Sequence, residues 1–120
     1  MADHIQKGRE GEDEAVNFLL AKGYQILERN WRYGHKEIDI IAGDRGTVVF
    51  VEVKSRKSLG DERYDELINR DKQKSLVSAA TAYMIHHKYG SPIRFDVIFV
   101  IGEKTGKSIE HIEDAFYGWG

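Results

Sequence analysis

The sequence predicts an α/β protein, a mixed β-sheet flanked by helices. Two observations carry this. Hydrophobic spacing alternates between the 3.6-residue helical period and the two-residue period of strands, in the order α-β-β-β-α-β-β. No repeat, low-complexity tract or linker interrupts the 120 residues, which read as a single domain, 1–120, large enough for one core.

The first helix runs from about Ile5 to Lys22, where Ala15, Phe18, Leu19 and Lys22 recur at i, i+3, i+4 and i+7 and the glutamates lie largely off that stripe. Gly23 ends it. Tyr24 to Trp31 alternates as a first strand, with Tyr24, Ile26 and Glu28 on one face and Gln25, Leu27 and Arg29 on the other. Glu37 to Ala42 is the second strand. Thr47 to Lys54 is the third, dense in β-branched and aromatic residues. Ser55 to Asn69 is polar, contains Gly60 and reads as a long, mobile connection. Asn69 or Asp71 caps a second helix reaching about Lys88, which buries Leu76, Ala80, Tyr83, Met84 and His87. Gly90 stops this helix and Pro92 follows. Ile93 to Ile101 is a strong strand, Gly102 to Gly106 a turn, and Ser108 to Asp114 a short last strand.

Hydrophobic residues make up 41% and charged residues 32%, the balance of a globular protein. The apolar runs are too short to span a bilayer, and Met1-Ala2-Asp3-His4 does not open a secretion signal. The absence of cysteine excludes disulfides, thiolate zinc sites and thiol nucleophiles, and suits a cytoplasmic protein. The formal net charge is −2, so any affinity for nucleic acid rests on local patches, or on help from a homodimer or a partner. Bases gather at Arg29, Arg32 and Lys36, and again from Lys54 and Arg56 to Lys72 and Lys74.

The chemistry concentrates in the Glu37-Ile38-Asp39-Ile40-Ile41 and Glu52-Val53-Lys54 segments, joined by the polar stretch Gly43-Asp44-Arg45-Gly46. Alternation puts Glu37, Asp39 and Ile41 on one face of their strand, and Val48, Phe50, Glu52 and Lys54 on one face of the next. If Gly43 pairs with Val48 across a four-residue loop, Asp39 lies opposite Glu52. A two-residue loop sets Asp39 opposite Phe50 and diagonal to Glu52. Either register brings the two acids within roughly 5–8 Å at Cβ. Like charges so close repel, and a cation between them removes the penalty. Mg²⁺, with Mn²⁺ as an alternative, accepts a few carboxylate oxygens and bridges to phosphate. Lys54 is then placed to handle the attacking water or the developing charge, and the Val53 carbonyl is a further candidate ligand. The bland alternative is a solvated strand face with Lys54 paired to Glu37. Against it, Val48 and Phe50 make the first half of the Glu52 face apolar, and buried carboxylates need partners.

A series of motifs runs along the chain: Gly11-Glu12-x-x-Ala15, Gly23-Tyr24-x-Ile26-Leu27-x-Arg29-Asn30, Glu37-Ile38-Asp39-Ile40-Ile41-Ala42, Phe50-Val51-Glu52-Val53-Lys54-x-Arg56, Lys72-Gln73 and Arg94-Phe95-Asp96-Val97. From Gly8 to about Phe116 it resembles the YraN family of small bacterial proteins, related to the PD-(D/E)xK nucleases and archaeal Holliday-junction resolvases. The resemblance implies a restriction-endonuclease-like α-β-β-β-α-β core. It implies Asp39 and Glu52 as metal ligands, Lys54 as the catalytic lysine, Glu12 as a helix-borne carboxylate nearing the same metal, and Lys72 and Gln73 as polar groups facing the site. Lys36 stands where that family usually has glycine.

Other residues read more blandly. Arg56, Lys57 and Arg63 are phosphate contacts or plain surface charge. His86 and His87 are adjacent on a helix and cannot chelate together. His35 lies near the turn before Asp39 and within reach of DNA. Arg94 and Asp96 read as a structural pair, and Phe116, Tyr117 and Trp119 as core packing. The resulting expectation is a Mg²⁺-dependent endodeoxyribonuclease acting on DNA, branched or single-stranded. The competing expectations are a nucleic-acid-binding module without turnover and a structural or regulatory protein.

Overall fold

The structure, a computed structural model, describes residues 2–57, 69–88, 90–102 and 106–116, with only the helical backbone given for 2–10. In chain order the elements are helix α1 (Ala2–Ala21), strands β1 (Gln25–Tyr33), β2 (Lys36–Asp44) and β3 (Thr47–Arg56), helix α2 (Arg70–His86), and strands β4 (Ile93–Ile101) and β5 (Ser108–Ile112). The strands form one sheet in the order β1-β2-β3-β4-β5. β3 and β4 are parallel, with α2 in the connection between them, and the other neighbours are antiparallel. The expected mixed α/β sheet is present, and the first six elements of the chain follow the expected order α-β-β-β-α-β.

Alternation along the strands builds two apolar layers. On one face Ala15 and Leu19 of α1 pack with Tyr24, Ile40, Ala42, Val49, Val51, Ile98 and Val100. On the other, Leu76, Ala79, Ala80 and Tyr83 of α2 pack with Ile38, Ile41, Val48, Phe50 and Phe95. β3 thus sends Val49 and Val51 to α1 and Val48 and Phe50 to α2, and Glu52 continues the α2 side. β1 sends Ile26 toward α1 and Leu27 and Trp31 toward α2, with a bulge between Ile26 and Glu28.

The β2–β3 hairpin takes the register that pairs Gly43 with Val48. The turn differs from the one expected for that register. Asp44 pairs with Thr47, leaving a two-residue turn of Arg45 (φ 49°) and Gly46 (φ 86°). Left-handed backbone at both central positions matches the twist of the flanking strands.

The helix ends follow local chemistry. Gly23 leaves α1 with φ 93°. The Asn69 side chain accepts the Lys72 N–H at 3.1 Å, so Asn69 is the α2 cap and Asp71 lies inside the first turn. At the other end the helix closes at His86, and Lys88 (φ 56°) turns the chain before Gly90 is reached. His87 therefore lies beyond the last helical turn and is exposed, not on the buried face expected for it; Ala79 is buried in the α2 layer instead. β5 stops at Ile112, two residues short of the expected end, and Asp114 there has φ 53°. Phe116 stacks on Phe95 with ring centres 4.9 Å apart. Most of the expected long connection (58–68, including Arg63) lies outside the described residues, as do Tyr117 and Trp119.

Candidate active site

The β2–β3 ladder stops at Ile40 and Val51. One step further, Asp39 Oδ2 accepts the Val53 N–H at 2.8 Å, so a side-chain carboxylate occupies the place of a backbone carbonyl. β1 is irregular at the same level. The pairs Arg29–Ile40 and Trp31–Ile38 bracket Asn30, whose φ is 53°. Ile38 and Ile41, three residues apart, both join the α2-side layer. Strict alternation therefore fails across Asp39, and the single shared face read from the sequence becomes a gap between β2 and β3.

That gap widens into an open cleft of about 550 Å³. Its walls include Lys36, Glu37 and Asp39 from β2, Glu52, Lys54 and Arg56 from β3, and Lys72 and Ser75 from α2. Asp39, Glu52 and Lys54 thus converge as the hairpin argument required. Glu52 is buried, and its Oε1 pairs with Lys72 Nζ at 2.5 Å; Lys54 Nζ is 4.0 Å from the same oxygen. The Glu52 pair raises the Lys72 ammonium pKa, offset in part by burial. Glu37 pairs with Arg32 at 3.4 Å across β1–β2, not with Lys54. Arg56 lines the cleft and donates to the Ser55 carbonyl. Gln73 is half-buried at the start of α2, where its N–H meets the Asn69 carbonyl, and it is not among the cleft-lining residues. Lys74 is exposed, as expected.

Glu12 approaches from the α1 side. Gly11 is buried, and a Cβ built there would collide with Ser55 Oγ on β3. The missing side chain lets α1 close onto the end of β3 and carries Glu12 toward Asp39. Burial raises the Glu12 pKa, and the hydrogen bond with Asn30 and the charge of Arg29 only partly oppose this. Among the described residues, Glu12 Oε1 is the buried side-chain atom left without a hydrogen-bond partner. Burial, then the charges of Glu12 and Glu52, push the Asp39 carboxyl up to about 6, against the Val53 hydrogen bond and Lys72. Asp39 and Glu12 are thus carboxylates that burial leaves incompletely compensated, whereas Glu52 beside them is paired with Lys72 and lies near Lys54. Carboxylate oxygens, one of them orphaned, are the donor type that a hard divalent cation such as Mg²⁺ or Mn²⁺ takes, but among the described residues it is another group, Asp96, His111 and Glu113, whose ligand atoms converge within 4.8 Å.

A second polar cluster lies beside α1, where β4 meets β5. Asp96, His111 and Glu113 each bring a ligand atom within 4.8 Å of the others, a group that could bind a metal ion. Its charges are already matched. Arg94 donates to both Asp96 oxygens at 2.9 and 2.8 Å, and also to Tyr24 Oη at 2.6 Å. Tyr24 donates to Glu113 at 2.8 Å. The Lys22 ammonium can only donate, so His111 Nδ1 accepts from it at 2.9 Å and Nε2 carries the hydrogen toward Asp96 at 2.7 Å. Burial alone would raise the Asp96 carboxyl, but His111, Arg94 and the Asp114 N–H outweigh it and hold it below the usual range. The structural pairing expected for Arg94 and Asp96 is present. His111 and Ser75 carry no signal in the sequence, and Asn30 enters there only as the end of a motif, without a role. His111 sits on a short strand with no motif around it, whereas Asn30 had a usable signal, a residue that tolerates left-handed backbone inside a strand.

Residues 11–100 match the profile of the uncharacterised protein family UPF0102. A UPF0102 protein of Phocaeicola vulgatus is 42% identical over 117 residues, covering 98% of this chain and 97% of that one. One of Flavobacterium psychrophilum is 44% identical over 117 residues, covering 98% of each. One of Chlorobium phaeobacteroides is 46% identical over 116 residues, covering 91% and 92%. Among solved structures, SfsA of Pyrococcus furiosus in complex with Ca²⁺ aligns at TM-score 0.39 and 14% identity, over 92% of this chain and 63% of that one. At that score the two folds are not equated. No helix among the described residues is long and apolar enough to cross a membrane.

Proposed function

The chain belongs to the uncharacterised protein family UPF0102, the YraN family of the sequence reading, and from that premise we propose that it is a divalent-metal-dependent nuclease acting on DNA in the cytoplasm. One observation carries the reading. Asp39, its carboxyl pushed up to about 6, and Glu52 line an open cleft whose other walls carry Lys54, Arg56 and Lys72, and the charge of Glu12, with one orphaned oxygen, bears on Asp39 from α1. A fold does not keep three mutually repelling acids beside three cations for stability alone.

Asp39 and Glu52, with Glu12 behind them, would hold a Mg²⁺ or Mn²⁺ ion. The chemistry such an ion supplies is polarisation of a phosphate oxygen and a lowered pKa for a nearby water. Asp39 is kept in place by the Val53 N–H, so its free oxygen has a fixed direction. Lys54 Nζ, close to Glu52, would donate to the attacking water or to a non-bridging phosphate oxygen. Lys72, released from Glu52, would neutralise the phosphate from the α2 side, and Arg56 would extend that contact, whereas Gln73, outside the cleft lining, would act only by helping to set the start of α2. Chain 1–120 would act as one nuclease domain, alone or as a homodimer.

The test is incubation with linear duplex, single-stranded and four-way-junction DNA, with Mg²⁺ or Mn²⁺, beside Asp39→Asn and Glu52→Gln. Metal-dependent cleavage lost in both variants supports the proposal. A second reading, a binding module without turnover, draws on Lys72 already occupying Glu52. Purified protein that retains DNA and cuts none of it would establish that reading. Protein that neither binds DNA nor takes up a divalent ion would leave only a structural role.

A further inference from the structure

An aromatic shelf stands on β1 beside the cleft, next to its lining residue Lys36. Trp31 and Tyr33 are two residues apart on β1, their rings parallel to within 3° and their centres 6.3 Å apart. The inner ring is anchored: Trp31 meets the buried Tyr83 edge-on at 5.2 Å, and Tyr83 meets Phe50 edge-on in turn. The outer ring is open, with Tyr33 51% exposed. A half-exposed tyrosine on a strand is ordinary by itself. Its position is not. Tyr33 pairs across the hairpin with Lys36, and His35, Lys36 and Glu37 line the same cleft as Asp39 and Glu52. Lys36 also holds the hairpin to α2 through Ser78 Oγ at 2.9 Å, which fixes the shelf relative to the acids.

We propose that Tyr33, braced on Trp31, is a stacking subsite for an unpaired base next to the phosphate held in the cleft, so that the ligand is single-stranded or locally unpaired nucleic acid. The inference rests on the nuclease reading and names its substrate class. Two arguments carry it. A chain whose phosphate sat among Lys54, Arg56 and Lys72 and that ran on past Lys36, which lines the same cleft, would come to the exposed ring of Tyr33, the cross-strand partner of Lys36. Inside a duplex both faces of each base are already stacked, so only an unpaired or extruded base can lie on a protein ring. The strand geometry also pre-orders the ring, because Tyr33 is held parallel to an anchored neighbour and loses little freedom on binding.

The experiment compares binding of a labelled phosphorothioate oligothymidylate, which resists cleavage, with that of a duplex of equal length by fluorescence anisotropy in Mg²⁺. Wild type, Tyr33→Ala and Tyr33→Trp are measured, with thermal melts as the folding control. The expected result is tighter single-strand than duplex binding by wild type. Single-strand affinity falls roughly five- to a hundredfold in Tyr33→Ala, duplex affinity changes less than about twofold, and Tyr33→Trp restores wild-type behaviour. If wild type binds single strands and Tyr33→Ala binds them equally well, the subsite is refuted while the nuclease reading stands. Preference for the duplex, unchanged by Tyr33→Ala, also refutes it. If wild type binds no nucleic acid of either form, both readings fall together.

Discussion

Replacing Asp39 by asparagine should stabilise the metal-free protein. Folding moves the Asp39 carboxyl from 3.8 to about 6, chiefly through burial and then through Glu12 and Glu52. A shift of that size corresponds to about 3 kcal/mol against the ionised form, and water in the open cleft screens part of it, leaving roughly 2 kcal/mol. The sign follows from where protons bind. Between about pH 4 and 6 the folded state holds a proton that the unfolded chain has released, so stability falls as pH rises through this window. Above it both states are ionised and the fold carries the full cost. Asparagine keeps an oxygen for the Val53 N–H and carries no charge. For a chain of 120 residues, roughly 2 kcal/mol is about 8 °C in Tm. The assay is thermal denaturation near pH 8 and near pH 4, in EDTA and in excess Mn²⁺. In EDTA near pH 8, Asp39→Asn should melt higher than wild type, and near pH 4 the gap should close. Mn²⁺ at a hundredfold its dissociation constant should raise wild type by about 2.7 kcal/mol and leave the variant unmoved. An Asp39→Asn protein that melts lower than wild type near pH 8 in EDTA would refute the reasoning, because Asp39 would then be a satisfied structural group.

Three further outcomes follow from the same contacts. Lys72→Ala removes the cation that competes for Glu52, so Mn²⁺ affinity measured by calorimetry should rise several-fold, while metal-free stability falls by no more than about 1 kcal/mol, since the lysine is 54% exposed. Gly11→Val should lower Tm by about 4–12 °C, on the order of 1–3 kcal/mol of overpacking, and weaken Mn²⁺ binding by pushing α1 and Glu12 away from Ser55. Gly11→Ala combined with Ser55→Ala, which removes the colliding hydroxyl, should stay near wild type in both measurements. Arg94→Met leaves the fully buried Asp96 carboxylate without its main partner and should cost about 3–5 kcal/mol by urea denaturation; Arg94→Met with Asp96→Leu should recover most of it.

Much of this molecule is written in local periodicity. The strands and the two-layer core follow from alternation, and the hairpin register follows from where Gly43 meets Val48. The convergence of Asp39, Glu52 and Lys54 was legible for the same reason. What the sequence did not reveal are the departures from regularity. The break in the β2–β3 ladder beyond Ile40, where Asp39 takes the Val53 N–H, coincides with left-handed Asn30 on β1, and nothing in the β2 sequence marks it. The Lys72–Glu52 pair joins residues 20 apart along the chain through a helix whose placement over the sheet is a tertiary fact. His87 was misplaced because helical periodicity does not say where a helix stops, and Lys88 supplies the left-handed turn that glycine usually would.

The two clusters of this protein show how a buried aspartate can be read. Asp96, fully buried, and Asp39, partly buried at the cleft, both sit on sheet strands, and burial pushes both carboxyls up. Around Asp96, an arginine, a histidine and a backbone N–H reverse the shift, so it stays ionised into acid and strengthens the fold. Its contribution is present above about 3.8 and is lost only as pH falls through a still lower value. Around Asp39 one backbone N–H and the charge of Lys72 oppose burial and two further carboxylates, and the shift stands. The first arrangement is complete without a ligand, even though its geometry could bind a metal ion. The second is complete only with a proton or a cation. The two groups therefore oppose each other in the pH profile: Asp96 costs the fold stability in strong acid, and Asp39 costs it above pH 6. A divalent ion that removes the second cost and leaves the first untouched would place the working metal site at the β2–β3 cleft.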